Sequence, residues 1–174
     1  MRNIIYVSTL IISLALLKYF TALQDSLRLA GIQSPFSDSN AKIENISSRT
    51  SGGKYLVNLQ YPELTRKGEP SFFMVNLFHN SGDKQSRMRH VDCDFIILRD
   101  GIEQFRMSTK YGEPLFHSIN GVMLPSFPFS EPGIYKISVE IAGDFFIPIK
   151  PVFANFSAMV SPTTEGNLKF NIST

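Results

Sequence analysis

Between Tyr55 and Val160 the chain alternates apolar and polar residues in short runs, each bounded by residues that turn the backbone. Tyr55, Val57, Leu59 and Tyr61 share one face of a first strand, which Pro62 closes. Phe72 to His79 predicts a second, inward through Phe73, Val75 and Leu77, with Asn80-Ser81-Gly82-Asp83 as its turn. Val91 to Leu98 and Ile102 to Met107 predict a third and a fourth. They are joined at Arg99-Asp100-Gly101, where Asp-Gly supplies the positive φ of a tight hairpin. Val122 to Phe129 predicts a fifth, confined to an edge or a bulge because Pro125 and Pro128 cannot donate to a ladder.

The sixth strand is the clearest. Pro132-Gly133 stops the preceding element, then Tyr135, Ile137, Val139 and Ile141 fall on one face and Lys136, Ser138 and Glu140 on the other. A proline-glycine corner followed by such a tyrosine opens the sixth strand of many immunoglobulin-like sandwiches, with the hydroxyl bonded back to the corner backbone. Phe153 to Val160 predicts the seventh strand, ended by Ser161-Pro162. The expectation is an all-β domain, a seven-stranded antiparallel immunoglobulin-like β-sandwich over residues 54–162, with a polar C-terminal tail over 163–174.

The periodicity differs before this region. Ile4 to Leu17 carries no charge, and the apolar pattern continues through Leu23, with Lys18 able to snorkel and Gly31 placed to end a helix. At ~1.5 Å per residue, about 20 such residues match the ~30 Å hydrocarbon thickness. Residues 1–31 therefore read as an uncleaved signal-anchor, a single-pass membrane helix that leaves the C-terminal domain outside the cell. Secretion after signal-peptide cleavage is the alternative. The small polar stretches Ser34 to Asn40 and Ser47 to Gly53 read as a linker over 32–53. Asn45, Asn155 and Asn171 open Asn-x-Ser sequons, as an external domain permits.

Composition narrows the function classes. A net charge of +2, with no basic run longer than Arg66-Lys67, excludes a polyanion-binding surface, so nucleic acid is not an expected partner. Cys93 is the sole cysteine, so no intrachain disulfide and no cysteine-rich zinc site forms. The chain has no Gly-x-Ser-x-Gly elbow, glycine-rich phosphate loop or His-Glu-x-x-His, and no small-molecule substrate is evident. The expected role is non-catalytic.

The candidate chemistry lies with His79, His90, His117, Cys93 and the methionines. His90, Asp92 and Asp94 fall on the outer face of the third strand, as a weak metal line or a solvated polar face. Cys93 falls on the opposite face as a core residue. His117, in a loop, is placed to meet Met107 or Met123 in a soft copper site, the alternative to having no cofactor. Phe127 and Phe129 on the proline-broken strand, and Phe145 and Phe146 past the sixth strand, are the candidate interface.

The residues Gly53-Lys54-Tyr55, Val91-Asp92-Cys93-Asp94-Phe95, Arg99-Asp100-Gly101, Pro132-Gly133-Ile134-Tyr135 and Phe153-Ala154-Asn155-Phe156 carry a resemblance. The chain resembles, over about residues 53–162, small extracellular immunoglobulin-like or cupredoxin-like domains common in ammonia-oxidising archaea. One membrane helix with one sandwich is also similar to the architecture of the archaeal ammonia monooxygenase B subunit and its accessory subunits. The resemblance implies an archaeal accessory subunit working with other membrane-protein subunits. The His-x-His copper pair of cupredoxin-like relatives has no counterpart here; Lys136-Ile137-Ser138 follows the corner instead.

Overall fold

The computed structural model describes residues 42–172, apart from Lys67, Asp83 and residues 162–164. The expected membrane helix and the first part of the expected linker lie outside this range. Among the described residues, no helix is long and apolar enough to cross a membrane.

The protein is all-β, with every strand pair antiparallel. The predicted strands appear as β2 (Tyr55–Pro62), β5 (Met74–Ser81), β7 (Val91–Arg99), β8 (Ile102–Arg106), β12 (Gly133–Asp144) and β13 (Ile147–Val160). The predicted fifth strand is broken where its prolines lie. It becomes β10 (Val122–Met123), which pairs with β5, and β11 (Ser126–Pro128), which pairs with β4 (Pro70–Phe72) in a separate two-stranded sheet.

The domain has more strands than the seven expected. β1 (Ile43–Arg49) lies within the stretch read as linker and pairs along its whole length with β2. β14 (Glu165–Ile172) lies within the stretch read as tail and pairs with β13 and with the short β3 (Leu64–Arg66). β6 (Lys84–Arg87) pairs with β5, and β9 (Phe116–Ser118) pairs with β7. For β1 and β6, sheet partners override weak local patterning, because an edge strand with one half-solvated face needs little hydrophobic alternation.

One sheet runs β1-β2-β5-β10 and the other β3-β14-β13-β12-β7-β8. Their facing sides supply one core. Tyr55, Val57 and Leu59 of β2 and Val75 and Leu77 of β5 meet Cys93, Phe95 and Ile97 of β7, Tyr135, Ile137, Val139 and Ile141 of β12 and Phe156 of β13, all at 0–2% exposure. The corner reads as the sequence predicts, with the Tyr135 hydroxyl donating to the Glu131 carbonyl at 2.9 Å. Asp100-Gly101 likewise forms its hairpin, with φ of 52° and 78°.

A short helix, α1 (Met107–Tyr111), follows β8, so Met107 begins a helix rather than ending the fourth strand. Asp94, expected on a solvated face, is fully buried. It accepts hydrogen bonds from the backbone N–H and hydroxyl of Ser108 in α1, from the Phe95 N–H, and from Arg106 at 3.0 Å. No buried side-chain nitrogen or oxygen among the described residues lacks a partner.

Candidate functional site

One end of the sandwich concentrates the unusual features. β12 and β13 are joined there by only Phe145 and Phe146, with Asp144 paired to Ile147 across the turn. Both phenylalanines have positive φ, 51° and 65°. A two-residue loop with positive φ at both positions is a type I′ turn, which favours Asn-Gly or Asp-Gly and strains a residue with a bulky Cβ substituent. Asp100-Gly101 makes the same turn with residues suited to it. Phe145, Phe146 and Ile147 are also 62%, 62% and 65% exposed, so this turn holds three apolar side chains in solvent with two of them strained.

A bulge sets what surrounds the tip. Against β7, Ile141 pairs with Cys93 and Gly143 with Asp92, which leaves Ala142 as an extra residue, whereas against β13 the same two pair with Val152 and Pro148 and the surplus lies in β13. The extra residue reverses the inside-outside phase of the strand. Gly143 then faces outward beside Asp92, and Asp144 faces inward between the sheets. A Cβ at Gly143 would lie 2.4 Å from the Asp92 carboxylate, so only glycine admits Asp92 at this position.

Two polar clusters flank the turn. On the inner side, Asp144 accepts from the Tyr55 hydroxyl at 2.9 Å and pairs with His79 at 3.5 Å and Lys54 at 3.7 Å. On the outer side, Asp92 lies 2.7 Å from Nδ1 of His117, and Nε2 of His117 lies 3.5 Å from Nδ1 of His90. His90 is itself at φ 50°, with its N–H donating to Ile119 and its carbonyl accepting from Phe146. The Phe146 ring stacks on His90 at 4.2 Å and on His117 at 5.7 Å, which ties the imidazoles to the tip.

The structure thus brings His117 to His90 and Asp92. Met107 and Met123 are buried core residues, 3% and 1% exposed, and Met123 Sδ lies 3.4 Å from the Cys93 thiol. Burial, and secondarily the nearby Asp94 and Asp92, push the Cys93 thiol far above its ordinary value, so it stays neutral and inert. Of the expected interface residues, Phe145 and Phe146 are exposed, whereas Phe129 is fully buried and Phe127 packs on the core. Asn45 is exposed on β1, Asn155 accepts from the Ser138 hydroxyl within β13, and Asn171 lies on β14.

An open groove of about 650 Å³ lies elsewhere, between β8, α1 and β11, lined by Phe105, Phe127, Thr109, Lys110, Arg106 and Glu103 among others. Glu103 above all, and then Asp94, raise the Arg106 guanidinium further, so its charge is spent on carboxylates at the groove wall.

Sequence reasoning missed Asp92 as the partner of His117 and Asp144 as the partner of Tyr55 and His79. The alternation does place His90 and Asp92 on the outer face. The β9 pairing and the bulge at Ala142 leave no local signal. Comparisons with protein-family models, with curated proteins and with solved structures return no match.

Proposed function

We propose that this protein is a non-catalytic, membrane-anchored extracellular immunoglobulin-like sandwich that serves as an interaction module or accessory subunit of a membrane-protein complex. The observation that carries the reading is the Phe145-Phe146-Ile147 tip. Exposed aromatic residues held at positive φ cost stability in the free domain, of order 1–3 kcal/mol per strained residue. A partner that buries them would recover apolar surface at roughly 25 cal/mol per Å² and supply the compensating gain. The apolar leader supports a partner in the same membrane, since tethering both chains raises their effective concentration.

Purification of the full chain from its native membranes in mild detergent, with a photo-crosslinker at position 146, tests this. A defined crosslinked partner that is lost in the Phe145→Asn, Phe146→Gly double variant is the expected result. A chain that runs only as a free monomer, with no crosslink, overturns it.

A further inference from the structure

The outer cluster has a geometry that neither the fold nor a protein partner requires. The Asp92 carboxylate, acceptor-only when ionised, lies 2.7 Å from Nδ1 of His117 and so fixes the tautomer with hydrogen on Nδ1. The lone pair of Nε2 is then directed away from Asp92, toward Nδ1 of His90 at 3.5 Å. That separation is at the long limit of a hydrogen bond. It does suit two imidazole nitrogens sharing one ion. Two Zn–N or Cu–N bonds of about 2.0–2.1 Å, opened to between about 109° and 120°, hold their nitrogens about 3.3–3.6 Å apart. The ring centroids stand 5.7 Å apart with the planes tilted by 34°.

We propose that His90 and His117 form an open site for a divalent transition-metal ion, with copper(II) bound most tightly, and that Asp92 is a positioning residue for it. Imidazole nitrogens suit copper, zinc and nickel, and among these divalent ions copper(II) ranks highest in affinity. The carboxylate-histidine-metal arrangement supplies the outer partner that such ligands use. Gly143 preserves it by leaving room for Asp92, and Phe146 covers one side of both rings. Among the described residues no group of three or more His, Cys, Asp or Glu gathers to hold an ion, so two positions at least fall to water or to a partner's ligand. His117 is 36% exposed, which leaves the ion an entry path. His79 belongs to the inner cluster and takes no part.

The test titrates the full chain in detergent micelles with copper(II) sulfate alone, followed by calorimetry and electron paramagnetic resonance. One ion per chain with hyperfine structure from two nitrogens is expected. His90→Ala and His117→Ala each weaken binding at least 100-fold, while His79→Ala binds like the natural chain. Asp92→Asn weakens it 10- to 100-fold with an unchanged melting temperature, and Asp92→Glu recovers part of that loss. A measurement that needs no variant accompanies it: zinc added to the ¹⁵N-labelled natural chain shifts the imidazole nitrogens of His90 and His117 and leaves those of His79 in place. Copper binding equally tight in the His90→Ala, His117→Ala double variant, or a zinc spectrum with His90 and His117 unmoved, overturns the proposal.

Discussion

At the scale of single residues, stability rests on polar groups as well as on the apolar core. Asp94 is fully buried and holds β7, β8 and α1 together through Arg106, Ser108 and Phe95. Removing it leaves the Phe95 and Ser108 N–H groups and the Ser108 hydroxyl, all buried, without this acceptor and takes from Arg106 one of its three carboxylate partners. Asp94→Ala is therefore expected to cost about 3–5 kcal/mol, read as a lowered urea midpoint at unchanged slope. The alternation put Asp94 correctly on the outer face of β7. What it could not show is that α1 covers that face, because a five-residue helix starting at Met107 has too few turns to display a period. His117 was likewise recognisable as a candidate ligand but not its company, since its neighbours come from a strand pairing 25 residues away.

At the scale of elements, the two type I′ hairpins form a natural comparison. Asp100-Gly101 was legible because its residues suit the turn. Phe145-Phe146 was not, because its residues oppose it. Replacing Phe145 and Phe146 by Asn and Gly is expected to raise the melting temperature by several degrees, from a gain of order 1–3 kcal/mol, measured by circular dichroism. The bulge is as consequential. It leaves Gly143 outward beside Asp92 and turns Asp144 inward to Tyr55 and His79. Asp144→Ala is expected to lower the melting temperature and, since burial and then this carboxylate raise the Tyr55 phenol, to move its ultraviolet titration to lower pH. β1 shows no period-two apolar repeat, whereas in β14 Leu168, Phe170 and Ile172 do alternate but in a short run after polar residues that reads as tail. Their place is set by the free edges of β2 and β13, information held elsewhere in the chain.

At the scale of the whole molecule, the sandwich has an alkaline limit. Burial raises the Cys93 thiol above 9.0, and burial is also the first cause that raises the Tyr55 and Tyr61 phenols above 10.0. The folded state keeps these protons longer than the unfolded chain does. Their contribution is fully present below pH 9 and is lost as pH rises through the folded values, at roughly 1.4 kcal/mol per pH unit per proton. A melting temperature that is level from pH 7 to 8.5 and falls above 9 is expected, with Cys93→Ala delaying the onset toward pH 10. The two-layer architecture was visible in the sequence because a core of alternating residues repeats along the chain. The tip chemistry was not, because it exists only where β7, β9, β12 and β13 end together.

The buried Cys93 thiol bears on how the protein meets oxidants. An odd thiol in an oxidising space would ordinarily invite a covalent bond between two copies. Sealed beside Met123 and the Phe116 carbonyl, it has no solvent through which to meet an oxidant. The chain can therefore be stored and assayed without reductant, and a disulfide-linked pair on a non-reducing gel would report molecules whose sheets had come apart.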